Sequence, residues 1–153
     1  MNGAHLHLLL NHIPVIGTAF ALLLLAFGMW RKSDEIKKAA FWALALAAAS
    51  SVAAYLTGEP AEDVIKGAGL STALVEPHEE AAGAAFWASI VVGVGAVGGL
   101  FWFRGVKPVK PAAASAVLVG AVIVAALMAW AAFLGGKIRH TEFHSAPVAS
   151  LQR

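Results

Sequence analysis

Residues 8–38 read LLLNHIPVIGTAFALLLLAFGMWRKSDEIKK, an apolar run without Lys, Arg, Asp or Glu that ends on Trp30 and meets Arg31, Lys32, Lys37 and Lys38. A helix needs about twenty apolar residues to cross the roughly 30 Å of bilayer hydrocarbon, so Leu8 to Trp30 predicts one crossing. No basic region precedes the run, and Trp30-Arg31-Lys32 follows it where a leader peptide would carry small residues for cleavage. Helix one is therefore expected to be a permanent span.

Three further runs of the same kind lie downstream, Ala39 to Thr57, Ala81 to Phe103 and Ala112 to Gly135, and none contains an acid, a lysine or an arginine. Of the 153 residues, 59% are hydrophobic and 13% charged, which makes lipid the expected solvent. The expected fold is an all-α bundle of four transmembrane helices forming a single domain over 1–153, with the bilayer as first partner.

Orientation follows from the short loops. Arg31, Lys32, Lys37 and Lys38 join helices one and two, and Arg104, Lys107 and Lys110 join helices three and four, opposed only by Asp34 and Glu35. Basic short loops mark the cytoplasmic side, which predicts both termini outside. Concentrated in this way, the basic residues carry a topology signal and give no nucleic-acid patch. Trp30, Phe41, Trp42, Phe101, Trp102 and Phe103 are expected as an inner aromatic belt, and Tyr55, Phe86, Trp87, Trp130 and Phe133 as an outer one. The segment from Gly58 to Glu80 is acidic, and Glu59-Pro60-Ala61-Glu62-Asp63 followed by Gly67 and Gly69 predicts a short extracytoplasmic helix between helices two and three. Gly95-x-x-x-Gly99 predicts close packing inside the bundle, with a dimer face as the alternative.

All six histidines fall on the outer side under this topology: His5, His7 and His12 lead into helix one, His78 opens helix three beside Glu79 and Glu80, and His140 and His144 close helix four. His5 and His12 share a helix face, whereas His7 to His12 turns about 140°. Imidazoles from three helix ends converging in a bundle point to a b-type haem, since His is a usual axial ligand and bundle cores commonly host cofactors. His12 and His78 are the first pair, His140 the substitute for either, and Arg139 a partner for a haem propionate. His140 and His144 with Glu142 or Glu79 offer an alternative zinc or copper site. In the remaining alternative the histidines only cap helices or meet headgroups, and the chain is a cofactor-free anchor or scaffold.

Absences narrow the chemistry. The chain has no cysteine, which excludes disulfides, thiolate metal sites and covalent c-type haem. No histidine lies on the inner side, so a second bis-histidine haem there is excluded, and electrons would stay near the outer leaflet. Spans without ionisable groups argue against transport or a proton relay. Ser50 and Ser51 lack a neighbouring base, and the glycines from Gly93 to Gly99 lie inside an apolar helix rather than in a phosphate loop. A catalytic residue is not indicated.

His7-x-x-x-x-His12-x-Pro14, Thr57-Gly58, His78 and Gly135-Gly136-x-Ile138-Arg139-His140-x-Glu142 together resemble a family of small bacterial four-helix membrane proteins of unassigned function. Its first helix typically begins Leu-His-Pro and continues to Val-His-Phe-Pro; here Leu8 stands at the first proline and Asn11-His12-Ile13-Pro14 replaces the second element. The resemblance implies His7, His12, His78 and His140 as site residues, haem binding or service to a redox complex as function, and the bacterial plasma membrane as location. The expected role is electron transfer at the periplasmic face, as a small subunit beside other membrane or periplasmic redox subunits and a quinol.

Overall fold

The computed structural model describes residues 3–58, 60–61 and 75–139. They form helices α1 (Gly3–Leu10), α2 (His12–Trp30), α3 (Asp34–Leu56), α4 (Val75–Trp102) and α5 (Pro111–Arg139), with no strand among the described residues. Four stretches are helical, long and apolar enough to cross a membrane: His5–Trp30, Asp34–Leu56, Val75–Trp102 and Pro111–Ile138. At most 33% of the most apolar window of each is buried, so most of the hydrocarbon-like surface faces outward. Lipid satisfies such a surface and water does not. The protein is a multi-pass helical membrane protein. The expected outer helix after Glu59 lies mostly outside the described residues.

Helix one is interrupted, which the run from Leu8 to Trp30 does not predict. Pro14 brings no N–H, and its ring presses on the carbonyl four residues earlier, that of Leu10. The regular ladder is accordingly interrupted at the single residue Asn11, which keeps helical dihedrals (φ −66°, ψ −24°) and whose N–H still reaches the His7 carbonyl at 2.9 Å. The other boundaries also move. Helix α3 starts at Asp34, because the Ser33 side chain accepts from the Ile36 N–H at 3.3 Å and Asp34 and Glu35 fill the first turn. Helix α4 starts at Val75 instead of Ala81, with Pro77 in a first turn that has no use for its missing N–H. Helix α5 continues through Gly135-Gly136 to Arg139.

Helix α2 packs on α3 and α5, and α4 packs on α3 and α5, so the four crossings form a closed square. The core is mostly alanine. Ala21, Leu25, Ala40, Phe41, Leu44, Ala96, Phe103, Val109, Ala114 and Ala121 form its main cluster, near the two short loops. Small side chains bring backbones close, which is how association gains energy where no water is displaced. Gly99 shows the device: a Cβ there would stand 2.6 Å from the Phe41 ring. Gly95, its partner in the sequence motif, meets nothing within 4 Å and faces outward.

The aromatic belts need one correction. Phe41 and Phe103 are buried core residues, while Trp30, Trp42, Phe101 and Trp102 are exposed at that end as expected. At the other end Tyr55 stacks on Phe86 at 4.4 Å between α3 and α4, and Trp130 on Phe133 at 5.6 Å along α5. Ser50 and Ser51 return their hydroxyls to the carbonyls of Ala47 and Ala48, each at 2.7 Å, as serines in spans commonly do.

Candidate functional site

The end of the bundle away from the basic loops gathers His7 from α1 and His78 from the first turn of α4, both half-buried. His7 Nδ1 lies 3.0 Å from the carbonyl oxygen of Ala54 and 3.2 Å from Thr57 Oγ1. A carbonyl only accepts, so Nδ1 carries the proton and donates. The Ala54 carbonyl belongs to the last turn of α3, where helical partners run out, and the imidazole satisfies it from a different helix. The Thr57 hydroxyl is itself 3.0 Å from the carbonyls of Ala53 and Ala54, which leaves its oxygen to accept from His7.

His78 repeats the arrangement on the other side. Its Nδ1 donates to the Ala131 carbonyl of α5 at 2.9 Å. The ring reaches that carbonyl only because residue 135 is glycine, since a Cβ there would lie 3.0 Å from Cε1 and 3.2 Å from Nδ1. With Nδ1 committed in both rings, each Nε2 keeps its lone pair. Histidines that ligate metals are commonly oriented in this way, through a hydrogen bond from the other ring nitrogen to a backbone carbonyl.

His12 lies elsewhere. It is exposed, and its Nδ1 donates to the Leu8 carbonyl at the end of α1, 2.6 Å away. The structure thus sets His7 and His78 against carbonyls of neighbouring helices and leaves His12, the first partner expected for His78 from sequence, on the surface. The physical reason is the turn between residues 7 and 12, which sends one ring toward α3 and the other outward. His5 is exposed as well. His140, His144, Glu142 and the Arg139 side chain lie outside the described residues.

Sequence reasoning missed Asn11. It sits four residues after His7, on the same helical side, and its Oδ1 is buried without a hydrogen-bond partner among the described residues. An acceptor left in that state costs about 1–3 kcal/mol. The available signal was an amide three residues before a proline, inside an apolar run.

The donor set suits a group that takes two protein nitrogens. No cluster of three or more His, Cys, Asp or Glu able to hold a metal ion occurs among the described residues, so a protein-ligated tetrahedral zinc site is not built from them. A haem asks for two axial imidazoles, which His7 and His78 could supply. Comparison with family models, curated proteins and solved structures finds no match. Fold and composition define a four-helix membrane protein, and the histidine end is its one constellation of ligand-type side chains among the described residues.

Proposed function

We propose that the protein is a membrane b-type cytochrome-like subunit in which His7 and His78 hold a haem, and that it carries electrons at that face for a larger redox assembly. The supporting observation is the pair of imidazoles from separate helices, each with Nδ1–H fixed by a neighbour's carbonyl and Nε2 left for a ligand. Bound haem would supply one-electron chemistry. The chain's own residues would orient the two rings. Ala54, Thr57 and Ala131 would fix the orientation of the rings by accepting hydrogen bonds from their Nδ1–H groups. The proposal includes the histidine face as extracytoplasmic, the basic loops as cytoplasmic, a bacterial plasma-membrane location, and membership of the four-helix family with the Leu-His-Pro type first helix. A quinol and other redox subunits would be the electron partners, with His140 and Arg139 as further contacts.

A second reading rests on the same hydrogen bonds: His7 ties α1 to α3 and His78 ties α4 to α5, so the imidazoles could serve as staples in a cofactor-free anchor subunit. A reduced-minus-oxidised spectrum of the purified chain separates the two. A Soret and alpha band lost or shifted in both His7→Ala and His78→Ala, and retained in His12→Ala, is the expected result. Colourless protein from haem-replete cells that loses stability in His7→Ala and His78→Ala but keeps it in His7→Asn and His78→Asn, whose amide N–H can replace the Nδ1 donor, would replace the cytochrome with the staple. Metal analysis of that colourless protein tests the zinc or copper alternative at His140 and His144.

A further inference from the structure

The opposite end carries a different feature, independent of the histidines. Gly98, Phe101, Trp102, Arg104 and Lys107 line an open groove of about 290 Å3 where α4 runs into the loop leading to α5. The loop is held in place from beneath and from the side. Phe103 and Val109 are buried plugs, 7% and 2% exposed, on either side of the two cations. Lys38 Nζ, from α3, donates to the Gly105 carbonyl at 2.7 Å, and Gly105 takes a φ of +65° that turns the chain between Arg104 and Lys107. Among the described residues neither Arg104 nor Lys107 is paired with a carboxylate; Asp34, one of two acids at this end, is engaged by Lys37 at 2.9 Å.

Two unpaired cations on a tethered turn thus stand over a groove whose walls are interfacial aromatics and a bare glycine. Phe101 and Trp102 are 69% and 72% exposed, at the level where aromatic side chains meet headgroups. A side chain at Gly98 would meet nothing within 4 Å, so an acyl chain can lie along the helix there. We propose that this groove binds an anionic phospholipid, its phosphate held by Arg104 and Lys107 and its upper acyl chain against Gly98 and Trp102. Arg supplies a fork for the phosphate oxygens and Lys a point charge. Basic pockets at membrane-helix ends recognise anionic headgroups by this chemistry. The remaining loop cations, Arg31, Lys32 and Lys110, are exposed outside the groove and would feel only the general surface potential.

The test uses the full chain with Trp30, Trp42, Trp87 and Trp130 changed to Phe, leaving Trp102 as reporter, reconstituted in phosphatidylcholine vesicles. Brominated phosphatidylglycerol should quench Trp102 with a preference over brominated phosphatidylcholine of roughly twenty-five-fold, about fivefold for each cation. Arg104→Gln and Lys107→Gln should each lower the preference about fivefold, Lys107→Arg should retain it, and Gly98→Leu should weaken quenching by both lipids. Arg31→Gln with Lys32→Gln should leave the preference unchanged. Equal quenching by the two lipids, an equal loss in the Arg31/Lys32 variant, or displacement by millimolar inorganic phosphate would each overturn the proposal.

Discussion

The ring of His78 lies against Gly135 so closely that a methyl group on the glycine would stand 3.0 Å from Cε1. Two consequences oppose each other at this position. Alanine improves helix propensity by about 1 kcal/mol over glycine, while the ring must give way and its bond to Ala131 lengthens. In a double-mutant cycle, Gly135→Ala should cost about 1 kcal/mol in the native chain and become neutral or stabilising once His78→Ala is present. An identical cost in both backgrounds would mean that the contact does not couple the two residues.

Gly28 is where α2 and α3 approach at backbone distance. A Cβ there would lie 3.0 Å from both Lys37 N and Ile36 Cγ2, and 3.2 Å from the Ile36 carbonyl carbon. Main-chain atoms cannot rotate aside, so Gly28→Ala should destabilise the bundle by about 1–3 kcal/mol, read from unfolding of the reconstituted protein. Gly95→Ala, on the open side of α4, is the matched control and should be neutral or slightly stabilising.

Helix α2 ends with Ser33 N–H bonded to Gly28 O at 3.0 Å and Lys32 N–H bonded to Met29 O at 3.1 Å, the six-to-one and five-to-two pair of a Schellman ending. The residue that turns left-handed is Lys32, with φ of 52°, at a position where glycine carries no steric cost. Lys32→Gly should therefore stabilise the protein by about 1 kcal/mol, unlike the usual effect of introducing glycine. A loss of stability of that size would show that the lysine side chain contributes more than the turn costs it.

Four apolar runs, the serines returned to backbone and the clustering of ligand-type residues at one end were all legible in the chain, because each depends on local spacing and hydropathy. The choice between His7 and His12 was not. It depends on which ring meets the Ala54 carbonyl in the last turn of α3, and that partner lies 47 residues away. Phe41 and Phe103 misled for a similar reason, since interfacial position and core position look alike until the neighbouring glycine and loop are placed. The start of α4 at Val75 also differed from the hydropathy limit at Ala81, because helix geometry extends past the hydrocarbon edge into polar residues.

Asn11 gives a prediction of opposite sign to most polar deletions in a core. Replacing its buried, unsatisfied acceptor in Asn11→Leu should raise the stability of the ligand-free chain by about 1 kcal/mol. Should the amide face a proton-bearing group of a bound molecule, the same substitution should weaken retention of the chromophore during purification. Unchanged stability would indicate that the acceptor is satisfied in the membrane.

Seen along the chain, the molecule is two antiparallel hairpins. The first crossing with α3, and α4 with α5, are each closed by a short turn at one end and by a histidine at the other, with Lys38 and Gly105 clasping the two turns together. At the histidine end the same two hairpins meet through the Tyr55–Phe86 stack, so α3 and α4 are pinned to each other near both ends of the bundle.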